Sequence, residues 1–227
     1  MINTILWDVD GTLLDFLAAE KAAIKTLFKE FNLGKCSDEM IGRYSEINKT
    51  YWQRLERGEI TKQEVLIGRF KEFFESEGID SSVSEAFNSL YQVRLGDTVV
   101  YHDDSLEIIK SLGGRVRQYV VSNGTVEAQS KKLRLSGLGE LMDGIFLSED
   151  IGVEKPNIEF FNKVFEMIEP VDRNSIIIVG DSLTSDIQGG NNAGIRTCWY
   201  NPQNIKAPDK YRIDWEISDL HQIYEVL

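Results

Sequence analysis

This sequence has no apolar run near the ~18 residues that a membrane helix needs, and its first residues lack the basic segment of a secretory signal. A protein that neither crosses a membrane nor is exported is therefore expected, in a cytoplasmic setting. Cysteine is scarce: only Cys36 and Cys198 occur, far apart and outside any metal-ligand spacing. That excludes a disulfide scaffold and a cysteine metal site, and it fits a reducing compartment. Each thiol is expected to act as a small buried hydrophobe. Positive charge is also short. Lys and Arg number 25 against 37 Asp and Glu, a formal net charge of -12. Binding to a nucleic-acid polymer, which depends on Lys and Arg meeting phosphates, is disfavoured. A small anionic ligand needs only a local positive site, from a metal, a lysine or helix N-termini. Internal repeats, low-complexity tracts and long linkers are absent.

What is present is ordinary globular material: 227 residues, 42% hydrophobic and 27% charged, enough for one large domain or two smaller ones. The patterning changes twice along the chain. Residues 2–8 form a short apolar run of strand type. From residue 16 to residue 96 the pattern is almost entirely helical. Ser37 is placed to cap one of these helices, and Thr61 with Glu64 makes a capping-box pattern at the next. From residue 97 onward, β-branched runs such as "QYVVSNG" and "SIIIVGDS" alternate with helical segments. Continuous apolar strands separated by helices indicate a parallel sheet covered on both faces. The fold class expected is α/β: a Rossmann-like parallel-sheet core of residues 1–15 and 97–227, interrupted by an all-helical domain of residues 16–96. The run "TSDIQGGNNAG" is expected as a helix weakened by Gly189 and Gly190, "SDLHQIYEVL" as a closing helix, and Pro156 near a helix start.

The chemistry-bearing residues fall at strand ends, where open parallel sheets bind ligands. The first strand runs into Asp8-Val9-Asp10-Gly11-Thr12. Two acids at i and i+2 of a strand face one side, which is unfavourable unless something compensates. Asp10-Gly11 between hydrophobic residues is also a strong hairpin signal, so the stretch reads either as half of an ion site or as a turn. The next strand ends in Ser122-Asn123-Gly124, and the "IIIVG" strand in Asp181-Ser182, with Asp186 following. Lys155 precedes Pro156. Asp8 and Asp181 are hard oxygen ligands of the kind Mg²⁺ uses. Ser122 and the backbone N–H groups after it could hold phosphate oxygens. Lys155 offers a compact charge to a carboxylate and a phosphate, and a carboxylate can attack phosphorus to give an aspartyl-phosphate.

"DVDGT", "VVSNG", the lysine of "EKP" and "GDSLTSD" resemble, in order, the four motifs of the haloacid dehalogenase-like phosphohydrolases. The resemblance covers essentially the whole chain. It implies a Mg²⁺-dependent phosphomonoesterase in which Asp8 is the nucleophile and Asp10 the general acid/base. It makes Ser122, Asn123 and Gly124 the phosphate-binding motif and Lys155 the cation that steadies nucleophile and phosphoryl group. Asp181 becomes the acidic metal ligand, joined by Asp8 and the backbone carbonyl of Asp10. Asp186 supports the metal shell and Thr12 orients the motif loop. An insert between the first two motifs is similar to the family's helical cap, which implies a small-molecule phosphate ester as substrate.

Asp10 argues against the dehalogenases of the family, which lack a second acid, but a related sugar phosphomutase keeps both. "INKTYWQRLERGEITKQEVLIGRF" and "GGNNAGIRTCWYNP" resemble the YjjG/YfnB-type 5'-nucleotidase branch, which implies a nucleoside monophosphate. Asn48, Trp52 and Arg69 could then meet base or sugar. Their ordinary readings are helix packing for Trp52 and solvated surface for Asn48 and Arg69. A sugar-phosphate phosphatase or mutase is the enzymatic alternative, and a non-catalytic phosphate binder the other. Where related sequences often carry Pro-Gly, this one has "VVYHDDS", which puts His102 near the junction of the two domains. His102 there reads as a hinge or surface residue, and His221 as structural.

Overall fold

A computed structural model describes residues 1–168, 170 and 172–227. The chain divides into two compact units, one of Met1–Phe16 with Val99–Leu227 and one of Leu17–Thr98.

The first unit is built on a six-stranded sheet of β1 (Thr4–Trp7), β2 (Arg117–Ser122), β3 (Gly144–Leu147), β4 (Ile176–Gly180), β5 (Arg196–Tyr200) and β6 (Trp215–Ile217). Their spatial order is β3-β2-β1-β4-β5-β6, and every pair is parallel. Period-two alternation sends Ile5, Trp7, Ile177 and Val179 into one apolar cluster and Leu6, Ile176 and Ile178 into another. The sheet thus buries both faces, which explains why β4 reads as an unbroken apolar run. The strand order reverses at β1 and β4, and this is where doubly wound sheets open a crevice at their carboxyl ends.

The second unit holds α2 (Asp38–Glu56), α3 (Lys62–Ser76), α4 (Ser84–Leu95) and most of α1 (Phe16–Glu30). Ser37 caps α2 by accepting from the Met40 N–H at 3.3 Å. Thr61 and Glu64 form the capping box of α3. An aromatic cluster of Phe28, Tyr44, Phe70, Phe73, Phe74, Phe87 and Tyr91 fills this unit, with ring centroids 5.0 to 6.5 Å apart. A buried polar network threads the same unit. Arg69 donates to Asn48 Oδ1 at 2.7 Å and to Asn88 Oδ1 at 3.2 Å. Asn48 donates to Glu20 Oε2 at 2.9 Å, and Ser45 donates to Glu20 Oε1. Asn48 and Arg69 are therefore buried, not on a solvated surface. Each has partners that offset its desolvation.

The remaining helices are α5 (Ser105–Leu112), α6 (Val126–Ser136), α7 (Ser148–Ile151), α8 (Ile158–Met167), α9 (Gln188–Ala193) and α10 (Ile223–Val226). Several local expectations are corrected. Pro156 lies outside α8, whose N-cap is Asn157. The "TSDIQGGNNA" stretch divides into a π-type turn, Leu183–Ile187, and α9. Gly189 and Gly190 suit α9 because a Cβ there would meet the Phe161 ring at 2.6 Å and Thr197 Cγ2 at 2.6 Å. They let the helix approach its neighbours closely. The closing segment is a 3-10 turn, Leu220–Gln222, followed by α10. Cys198 is buried, but Cys36 is only half-buried. No helix among the described residues is long and apolar enough to cross a membrane.

Candidate active site

Asp8 directly follows β1 and Asp181 directly follows β4, so the neighbouring strands carry both acids to one end of the sheet. The Asp8 N–H donates to Val179 O at 2.9 Å and continues the strand pairing to that point. The π-type turn after β4 adds Asp186, whose N–H and that of Ile187 both donate to Ser182 O. Carboxylate oxygens of Asp8, Asp181 and Asp186 lie within 4.8 Å of one another.

Lys155 is 1% exposed and stands among these acids. Its Nζ donates to Asp8 Oδ1 at 2.9 Å, to Asp186 Oδ1 at 2.6 Å and to the Val121 carbonyl at 2.8 Å. An ammonium has three hydrogens, so all are spent inside the protein. What it offers a bound phosphoryl group is charge rather than a free N–H. Burial works against that charge, but Asp186 and Asp8 outweigh it and hold the ammonium above the ordinary lysine value.

The acids remain under-compensated. Burial pushes the Asp8 carboxyl up to about 7; Lys155 opposes the rise, while Asp186 and Asp10 add to it. The protein packed around Asp181, then Asp8 and Asp186, pushes its carboxyl well above the usual range, although one face of the residue is open to solvent. Three hard carboxylates facing one ammonium form a donor set that a divalent, oxygen-seeking cation fits. Such a cation would offset the burial and the mutual repulsion that raise both carboxyl groups.

Thr12 ties the two strand ends together. Its hydroxyl accepts the Asp181 N–H at 3.0 Å and lies 3.3 Å from Asp8 Oδ2 and 3.4 Å from Asp181 Oδ1. One hydroxyl hydrogen serves two carboxylates, so Thr12 orients them. The Trp199 indole donates to the Asp181 carbonyl at 2.9 Å and pins that residue from β5. Sequence reasoning passed over Trp199.

The Ser122-Asn123-Gly124 turn lies at the end of β2. Ser122 Oγ accepts the Gly124 N–H at 3.1 Å. The Asn123 side chain is turned to Lys155: its Nδ2 donates to the Lys155 carbonyl at 2.9 Å and its Oδ1 accepts the Lys155 N–H at 2.8 Å. This amide clamps the backbone of the buried lysine.

Asp10 is held by a different element from the acid cluster. Its carboxylate is held by α6, with Oδ1 accepting from Lys132 Nζ and Oδ2 from Gln129 Nε2, each at 2.5 Å. Neither Lys132 nor Gln129 figured in the sequence reading. A signal was present, because both sit on the stripe of α6 that Ala128, Leu133 and Ser136 turn inward. A lysine on a core-facing stripe requires a partner. In the helical unit Trp52 is half-buried, while Asn48 and Arg69 are spent in the polar network. His102 sits beside the Tyr200 ring at 5.8 Å between centroids, and His221 lies exposed in the 3-10 turn.

Known proteins are similar to this chain in sequence and fold. The sequence profile of the haloacid dehalogenase-like hydrolases matches residues 5–200. The chain is 37% identical over 225 residues to the protein YfnB of Bacillus subtilis (strain 168), covering 99% of this chain and 95% of that one. A crystal structure of YfnB bound to magnesium, in its orthorhombic form, shares the fold with a TM-score of 0.93 and 36% identity, over 100% of this chain and 98% of that one. The pyrimidine 5'-nucleotidase PynA of Streptococcus pneumoniae (strain ATCC BAA-255 / R6) is 33% identical over 225 residues, covering 98% of this chain and 94% of its own. The pyrimidine 5'-nucleotidase YjjG of Escherichia coli (strain K12) is 27% identical over 224 residues, with coverages of 98% and 96%. A profile match across most of the chain, joined to relatives of this extent, places the protein among the haloacid dehalogenase-like hydrolases.

Proposed function

We propose that the protein is a Mg²⁺-dependent phosphomonoesterase that works through an aspartyl-phosphate on Asp8, with a nucleoside 5'-monophosphate as substrate and the inserted helical unit as its cap domain. The observation that carries this is the cluster of Asp8, Asp181 and Asp186 around the buried ammonium of Lys155. The nucleotide assignment rests on PynA and YjjG, both named pyrimidine 5'-nucleotidases.

Asp8 and Asp181 would hold the metal, with the Asp10 carbonyl as a further ligand and Asp186 behind them. A bound Mg²⁺ supplies positive charge to the phosphoryl oxygens and to the crowded carboxylates. The protein's own groups do the rest. Lys155 opposes protonation of Asp8 and orients it through the 2.9 Å contact to Oδ1. A carboxylate oxygen of Asp8 attacks phosphorus, and the bond from phosphorus to the ester oxygen breaks. Asp10 gives its proton to the departing oxygen. Water then attacks the phosphorus of the aspartyl-phosphate, Asp10 takes a proton from it, and phosphate leaves with Asp8 regenerated. Ser122 and the backbone N–H of Asn123 orient the phosphoryl oxygens.

The test is a panel of nucleoside monophosphates, sugar phosphates and p-nitrophenyl phosphate, assayed for inorganic phosphate with Mg²⁺ and with EDTA. Turnover should need Mg²⁺ and favour a nucleotide, and Asp8→Asn should lower kcat by roughly 10³-fold or more. Retained activity in Asp8→Asn sinks the nucleophile assignment. A sugar phosphate with kcat/KM roughly ten-fold above the best nucleotide sinks the substrate assignment. An isomeric phosphate as product would mean a mutase.

A further inference from the structure

Lys132 is 1% exposed and Gln129 fully buried, yet both direct donors at one carboxylate, that of Asp10. Each takes a different oxygen: Lys132 Nζ takes Oδ1 and Gln129 Nε2 takes Oδ2. The two are i and i+3 on α6, a spacing that puts side chains on one face of a helix. Buried lysine is rare without a partner, and Asp10 is the acid that Lys132 meets. The Phe16 ring lies 5.2 Å from the same ammonium and closes another side of it.

The turn after β2 is shaped around this arrangement. A Cβ on Gly124 would lie 2.7 Å from Gln129 Cγ and 2.9 Å from Gln129 Cδ. The glycine of "SNG" therefore lets the Gln129 side chain pass to Asp10. Among the described residues the side chains of Asp8 and Asp10 share no hydrogen-bond partner: Asp8 is held by Lys155 and Thr12, and Asp10 by α6. Two neighbouring acids are thus anchored to different walls.

We propose that Lys132 and Gln129 are positioning residues for the general acid/base, fixing both oxygens of the Asp10 carboxylate from α6. This rests on the reading of Asp10 as the acid. A clamp on both oxygens fixes the direction in which the group faces the ester oxygen, and a carboxyl group left to rotate misses that alignment. The clamp therefore acts on the step in which the ester oxygen takes a proton. That step matters for an alkyl ester, whose oxygen leaves poorly unless protonated. It matters little for p-nitrophenyl phosphate, whose oxygen leaves as a stable phenolate.

The test compares kcat and KM of Lys132→Met, Lys132→Arg, Gln129→Met and Asp10→Asn on a nucleoside 5'-monophosphate and on p-nitrophenyl phosphate, with thermal melting to confirm folding. Lys132→Met and Gln129→Met should lower kcat/KM, which covers the steps through departure of the ester oxygen and not the later attack of water, by roughly 10- to 100-fold more on the nucleotide than on the aryl ester. Lys132→Arg, which keeps the charge and a donor, should recover part of the loss. If Lys132→Met does not fold, Gln129→Met alone decides the outcome. Equal losses of kcat/KM on both esters, or no loss, would overturn the inference. Asp10→Asn separates the two layers. If it discriminates between the esters while the α6 variants do not, the acid assignment stands and the clamp falls. If it lowers kcat/KM of both esters alike, the acid assignment fails and takes the clamp with it; the base role of Asp10 in the later attack of water is common to both esters and shows in kcat.

Discussion

Gly11→Ala should damage metal binding through geometry alone. Gly11 has φ +91°, a conformation that costs an L-residue with a Cβ roughly 1–2 kcal/mol. The new methyl would also lie 2.7 Å from Asp181 Oδ2, 2.9 Å from its Cγ and 3.0 Å from its Oδ1. The whole carboxylate must therefore move. The backbone of Asp181 cannot follow, because Thr12 Oγ1 holds its N–H at 3.0 Å and the Trp199 indole holds its carbonyl at 2.9 Å. The side chain rotates instead and leaves Asp8 and Asp186. Mg²⁺ affinity, read by titration calorimetry and by the Mg²⁺ dependence of phosphate release, should fall at least ~10–100-fold, the loss seen when even a supporting group is removed. A total cost of about 2 kcal/mol should lower the melting temperature by roughly 4–8 °C in a chain of this size. Gly34→Ala is the control. It has φ +88° and nothing within 4 Å of the added carbon, so it should cost the backbone strain and leave Mg²⁺ binding unchanged. If Gly11→Ala bound Mg²⁺ as the parent does, or if Gly34→Ala weakened binding as much, the steric argument would be refuted.

Two further outcomes concern stability and reactivity. Arg69→Met should destabilise the protein by about 3 kcal/mol or more, since Arg69 makes two hydrogen bonds to buried amides at ~1.5–3 kcal/mol each for a charged donor. The check is the midpoint of urea unfolding; an unchanged midpoint with a raised KM would instead make Arg69 a substrate contact. An alkylating reagent at neutral pH should label Cys36 alone in the folded protein, because Cys198 is buried and its thiol is pushed up to about 12 by that burial. Mass spectrometry before and after denaturation checks this, and rapid labelling of Cys198 in the native state would contradict it.

The legible parts of this molecule are those whose signals are local. The apolar run of β4, the capping box at Thr61 and the acids at the ends of β1 and β4 are each determined within a few residues. The burial of Asn48 and Arg69 is not legible in the sequence for the opposite reason. A polar residue on a helix is solvated by default, and only the distant Glu20 and Asn88 make burial tolerable. Lys132 is the instructive case, since its partner Asp10 is 122 residues away in sequence. Burying the ammonium without a countercharge would cost several kcal/mol, so its place on the inward stripe of α6 already demands an acid near the start of that helix. α6 follows β2, and β1 is the neighbour of β2 in the sheet. The acids that close β1 are therefore within reach, and Asp8 is claimed by Lys155. Once the strand order is known, the remaining assignment of Lys132 to Asp10 follows from charge and topology, without any appeal to a motif.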